Sequence, residues 1–184
     1  MSILDYSTID SFDKGEYPDY NFAMDNKSPR RFTIRGHTLL CLQGFQGEGY
    51  SPEFVAHLSS IHRSLSVSPD SLLEIVRRPD QICGVCPNLR QDGCHLNGVG
   101  SEAQMAAQDR EVMARLEITD GAWLTWREVL RKVSKRITGD NLTEICGGCR
   151  WLPLGYCRDA IDQLRKGGLN EKSAGPAGAG VRGD

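Results

Sequence analysis

The chain has 184 residues, room for one domain with a sizeable core, and its 22 basic against 24 acidic residues leave a net charge of −2. That balance gives no field strong enough to argue for nucleic acid or an anionic membrane surface, so partners have to be argued from sites. No stretch approaches the apolar length that spans a bilayer and no basic segment precedes an apolar run at the start, so the expectation is a soluble cytoplasmic protein with no membrane partner.

Residues 1–30 read as an acidic, weakly structured N-terminal extension: over residues 1–26 Asp5, Asp10, Asp13, Glu16, Asp19 and Asp25 face Lys14 alone, and no helical or alternating period emerges. The body runs over 31–166. Phe32-Thr33-Ile34 alternates apolar and β-branched residues up to Gly36 and predicts a short strand. The apolar run Thr38 to Phe45 predicts a short buried helix with His37 at its mouth. Gly44, Gly47 and Gly49 follow closely and predict a loop closing over something; their spacing fits no phosphate-binding fingerprint.

Ser51-Pro52-Glu53 is a helix start, and Phe54, Val55, Leu58, Ile61 and Leu65 then keep helical spacing. His57 and His62 read as surface or core-edge residues. Leu72–Val76, bounded by Pro69 and Pro79, predicts a second strand. Ser101-Glu102-Ala103-Gln104 has the arrangement of a capping box, and Met105, Val112, Met113 and Leu116 form an apolar helical stripe with Gln108 and Asp109 near the same face. The methionines read as core filler rather than ligands. Thr125 with Glu128 forms a further capping box and Leu124 with Val129 a hydrophobic staple, for a helix that continues to Ile137 and stops at a left-handed Gly139. Arg158–Lys166 predicts a last short helix, and 167–184 a disordered tail rich in Gly and Ala. The fold class expected is α+β: a helix-rich single domain with a small two-stranded sheet and two cysteine-rich metal-binding loops.

Those loops are a repeat. Residues 82–94 and 145–157 both read Ile-Cys-Gly-x-Cys, seven residues, Cys, so Cys83, Cys86 and Cys94 match Cys146, Cys149 and Cys157, six of the seven cysteines. Thiolates two residues apart converge on a metal when a tight turn carries them, and Gly84 and Gly147 supply backbone freedom for it. In a reducing cytoplasm an odd number of cysteines points to metal or redox chemistry rather than to a disulfide framework.

Three geometries compete. Each triplet could hold its own 4Fe-4S cluster, with Cys41 completing one of them and a non-cysteine ligand or an open iron in the other. Cys83, Cys86, Cys146 and Cys149 could hold one zinc ion between facing turns. A single 4Fe-4S cluster could draw on both repeats. The recurrence of Cys94 and Cys157 tilts the balance to iron, because a cube larger than one ion needs a third ligand from farther along the loop. Cys41 is as readily a small core residue as a ligand, and His95, next to Cys94, is the leading histidine for a ligand or an outer hydrogen-bond donor.

The segments Arg35-Gly36-His37-Thr38-Leu39-Leu40-Cys41, Gly44-Phe45, Gly49-Tyr50-Ser51-Pro52-Glu53-Phe54 and Cys83-Gly84-Val85-Cys86-Pro87-Asn88 together resemble a bacterial and archaeal family catalogued as domain of unknown function 1284. The resemblance covers about residues 31–166. It implies an iron-sulfur site made of Cys83, Cys86, Cys94, Cys146, Cys149 and Cys157, with the Arg-Gly-His-x-Leu-Leu-Cys segment nearby, and it implies no reaction.

The leading expectation is therefore an iron-sulfur protein, with one or two 4Fe-4S clusters, that transfers electrons or sulfur for a redox or sulfur-transfer protein partner. The second is a zinc-stabilised interaction module without catalysis. A third is an enzyme with Cys41 as nucleophile beside His37 and an acid such as Asp109, although an apolar flank would raise the thiol's pKa and make it inert.

Overall fold

The structure is a computed structural model that describes residues 29–167. The expectations for an acidic extension and a Gly/Ala tail otherwise lie outside the described residues; Gly167 itself ends the last helix.

Strand β1 (Arg31–Arg35) leads through α1 (Thr38–Gly44) and α2 (Pro52–Val67) to β2 (Leu72–Val76), which lies parallel to β1 in the register Ile34 with Ile75. Parallel neighbours need such a crossover, and the two helices supply it. Ser51 caps α2 by accepting the Phe54 N–H at 3.1 Å, and the helix buries Phe54, Leu58, Ile61 and Leu65 along one face. After a 3₁₀ turn at Cys83–Val85 come two short strands, β3 (Leu89–Arg90) and β4 (Gly93–Cys94), paired as a hairpin. Then follow α3 (Ser101–Leu116), β5 (Ala122–Thr125), α4 (Trp126–Arg136), α5 (Asn141–Ile145), a 3₁₀ turn at Leu152–Leu154 and α6 (Tyr156–Gly167). The core is continuous from Ile34 and Leu73 in the sheet through Leu39, Leu65, Val112 and Val133 to Ile161 in α6.

The α+β class holds, with six α-helices among the described residues. The sheet differs from the expected two strands: β2 is flanked on its other side by an antiparallel β5, Leu73 opposite Leu124. Four residues are too few to show an alternating period, and Leu124 and Thr125 carry the signals of the next helix as well. Those signals are correct, since Thr125 and Glu128 form the reciprocal capping box.

Two other end signals read differently in three dimensions. Gly100, left-handed at φ 88°, precedes α3, and Ser101 turns its hydroxyl back to the Gly98 carbonyl at 2.8 Å instead of capping forward. Helix α4 ends in extended backbone at Ile137, and Gly139 is not left-handed. Glycine is needed there because a Cβ would sit 2.6 Å from Arg158 Cγ and 2.7 Å from Asp162 Oδ2 of α6. Among the described residues no helix is long and apolar enough to cross a membrane.

Candidate functional site

Both Cys-Gly-x-Cys segments close the same turn: the Cys86 N–H donates to the Cys83 carbonyl at 2.9 Å, and the Cys149 N–H to the Cys146 carbonyl at 2.8 Å. A second turn follows in each, Leu89 N–H to Cys86 O at 3.1 Å and Leu152 N–H to Cys149 O at 3.2 Å. Neither Gly84 nor Gly147 is left-handed, so the turns do not need glycine for its backbone freedom. Gly147 has another reason to lack a side chain, since a Cβ would lie 2.8 Å from the Thr143 carbonyl.

The second triplet gathers a fourth cysteine. Cys146 caps α5, Cys149 ends its turn, Cys157 lies in the first turn of α6, and all three line one cavity of about 450 Å³ with Cys41 of α1. Gly44 makes this possible: a Cβ there would meet the Cys157 backbone at 2.4 Å, so α1 can lie directly on the start of α6. The loop predicted to close over something does so, with Phe45, Glu48 and Tyr50 in the cavity wall. Tyr50 holds the second repeat's own loop, its ring 4.8 Å from that of Trp151 and under the Arg150 guanidinium at 5.8 Å.

Thiols so placed resist ionisation. Burial pushes Cys41 well up, and the neighbouring Cys157, Cys146 and Cys149 add to it. Burial and the same neighbours push Cys146 up to about 11, against a hydrogen bond from Gln108 that favours the thiolate. Cys157 is raised chiefly by burial, then by Cys149. These thiols therefore keep their protons until a cation takes their place. The direction of that shift is the one its apolar flank predicts and disfavours the thiolate at Cys41.

None of Cys83, Cys86 and Cys94 lines that cavity, although Ile82 beside Cys83 does. Cys94 faces Leu89 across the β3–β4 hairpin. Carboxylates hold the backbone of this loop: Asp80 accepts the Cys83 N–H at 2.8 Å and Glu102 the Cys94 N–H at 2.9 Å. Burial, then Asp80, pushes Cys83 up to about 12. Both carboxylates answer to Arg35, which is 1% exposed: its N–H donates to Asp80 at 2.7 Å, and its guanidinium reaches Glu102 at 3.0 Å and Asp109 at 2.7 Å. Burial works against the Arg35 charge, but the two carboxylates outweigh it and keep the guanidinium protonated. One buried cation thus ties the first cysteine loop to the segment that carries His37 and Cys41.

Among the histidines the ranking from sequence changes. His95 bonds to the exposed Asp92 at 2.8 Å and does not line the cavity. His57 bonds to the Gln81 carbonyl and His62 packs edge-on to Phe45, as surface and core-edge residues do. His37 lines the cavity, its Nδ1 2.6 Å from Asp109 Oδ1. The sequence names His37 and Asp109 as partners, and the family resemblance puts the Arg35-Gly36-His37 segment near the site, but nothing in the sequence shows that Arg35 is buried against Glu102 and Asp109.

Four soft sulfur donors in an apolar, aromatic wall suit iron-sulfur chemistry better than a hard cation. Among the described residues no group of three or more His, Cys, Asp or Glu side chains is drawn together tightly enough for a metal ion.

Comparison with curated proteins and with solved structures returned no match. The family described as "Protein of unknown function (DUF1284)" matches residues 49–155, a span that holds Cys83, Cys86, Cys94, Cys146 and Cys149 and leaves Cys41 and Cys157 on its flanks. More than half of the chain lies in that match, and the chain belongs to this family.

Proposed function

We propose that the protein binds an iron-sulfur cluster of the 4Fe-4S type through Cys41, Cys146, Cys149 and Cys157 and serves electron or sulfur transfer to a partner protein in the cytoplasm. The observation that carries this reading is the convergence of these four cysteines, from three separate elements, on one cavity. A bound cluster supplies a one-electron redox centre. The chain's own part is to supply four cysteine sulfurs to the cluster, to screen it from water with Phe45, Phe54, Tyr50 and Trp151, and to hold Cys41 against α6 through Gly44. The first triplet, with three thiolates and no fourth cysteine, provides a second, incomplete site whose open position a non-protein ligand fills.

Anaerobic purification tests the proposal: the protein is expected to be brown, with iron and acid-labile sulfide in near-stoichiometric amounts and a paramagnetic signal on reduction. A colourless protein that carries only zinc and unfolds on chelation would instead be the zinc-stabilised interaction module.

A further inference from the structure

Two consecutive residues of α3 serve the two ends of the buried network. Asp109, fully buried, is held by Arg35 at 2.7 Å, and Gly36 presses on its carbonyl, where a Cβ would lie 2.7 Å away. With that position locked, Gln108, one residue earlier, turns to the wall of the cysteine cavity and toward α5. Its Nε2 donates to the Ile145 carbonyl at 3.0 Å. Ile145 is the last residue of α5, where a carbonyl has no partner within the helix. A primary amide carries two N–H donors, and Gln108 also bonds the sulfur of the next residue, Cys146. One side chain thus grips both the peptide that enters Cys146 and the Cys146 sulfur.

The Cys157 sulfur takes its hydrogen bond from the Gly44 backbone, which no substitution removes. In the first repeat the amide is local: Asn88, two residues after Cys86, brings its Nδ2 to 3.8 Å from the Cys86 sulfur. The second repeat has Trp151 at that place, with its ring against Tyr50, and the amide there comes from a different helix.

We propose that Gln108 sets the reduction potential of the second site, its amide N–H on the Cys146 sulfur favouring the reduced state of the cluster bound there. This role rests on the iron-sulfur reading above and assigns Gln108 as a positioning residue that acts through Cys146. On reduction one electron arrives from the redox centre of the partner protein, no bond in this chain forms or breaks, and the cysteine-held group gains one negative charge. A donor dipole aimed at a coordinated sulfur is attracted more strongly by the more negative state, and hydrogen bonds to the sulfurs are among the factors that set such potentials. Phe45, Tyr50 and Trp151 screen the site, so water does not replace the bond when the amide is removed.

The test is an anaerobic redox titration of the full chain, read by the paramagnetic signal of the reduced form, with iron, acid-labile sulfide and thermal midpoint measured on the same samples. Gln108→Met keeps the length and removes both donors. At a fixed potential it is expected to lower the reduced-to-oxidised ratio about tenfold, a fall of about 59 mV for one electron. Gln108→Lys retains a donor and adds a positive charge, and its potential is expected at or above that of wild type. Thr125→Ala, which weakens a distant cap, should titrate as wild type. The two Gln108 variants should shift alike in the Cys94→Ser chain, whose second site alone is expected to stay loaded. Only loaded protein gives the signal, so a variant that retains less iron still reports its potential. An unchanged potential in Gln108→Met, a potential in Gln108→Lys as low as in Gln108→Met, shifts that vanish in the Cys94→Ser chain, or complete loss of iron from both variants overturns the inference and leaves the iron-sulfur reading intact. Gln108 would then only tether α5. Wild-type protein without iron and sulfide sinks the iron-sulfur reading and this role with it.

Discussion

The two cysteine repeats share spacing and the first two turns, then part after Leu89 and Leu152. In the first repeat the seven-residue spacer folds into a hairpin that presents Cys94 from a strand, with its backbone held by Glu102. In the second, a 3₁₀ turn and a left-handed Gly155 start a helix that presents Cys157 from its first turn. The strand ends beside a carboxylate network; the helix docks on α1 and acquires Cys41. Equal spacing thus yields unequal sites, because the partner of the third cysteine's element sets the ligand count.

The largest effect should come from removing thiols one at a time. Cys41→Ser, Cys146→Ser and Cys157→Ser are each expected to empty the second site, while Cys94→Ser leaves it loaded, as measured by iron and sulfide per chain. If Cys41→Ser and Cys94→Ser lose the same share, the distinction between the two sites fails. Loading the second site should also release protons and tighten as pH rises, since Cys41, Cys146 and Cys157 are held protonated chiefly by burial; buffer-dependent calorimetry measures both.

Next in size is Arg35→Met, which strands Asp109 and Glu102 and disturbs both sites together. Breaking a buried pair costs about 3–5 kcal/mol, read as a fall in the urea midpoint. This network has a pH signature. Burial alone would raise the Asp109 pKa, but His37 and Arg35 outweigh it and hold the carboxyl below the usual range. A depressed native pKa contributes stability that is fully present above the unfolded value, about 4, and is lost as pH falls through the native one. Wild-type and Asp109→Asn stabilities should therefore differ most near neutral pH and converge in acid.

Gly44→Ala should act on the second site alone, forcing α1 off the α6 backbone at a cost of about 1–3 kcal/mol, with reduced iron retention and an unchanged first site. The smallest change, Thr125→Ala, removes the α4 cap for about 1 kcal/mol and should leave metal content at both sites untouched, the control for destabilisation as such.

Much of the fold was legible where a local cause acts. Strands β1 and β2, the Ser51 cap and the apolar face of α2, and the Thr125 capping box all follow from neighbours within one or two turns. Strand β5 was not, because its pairing with β2 joins residues about fifty apart and its own four residues carry no period. Gly139 and Ser101 misled because each bears an end signal that another contact overrides, a distant one with α6 for Gly139 and the preceding turn for Ser101.

By itself the sequence determined that two equivalent cysteine triplets exist, that each pair is closed by a tight turn, and that a helix carrying His37 and Cys41 lies in the same domain. Those are matters of spacing along the chain. Tertiary structure alone decided that Cys41 lines the cavity of the second triplet, that the Arg35 guanidinium is buried between Glu102 and Asp109, and that Asp109 and not a neighbour of Cys94 selects the histidine that faces the cavity. The physical reason is close approach: Gly44 and Gly36 let α1 reach α6 and the β1–α1 turn reach α3, and contacts that depend on a missing side chain leave no period for a sequence to show.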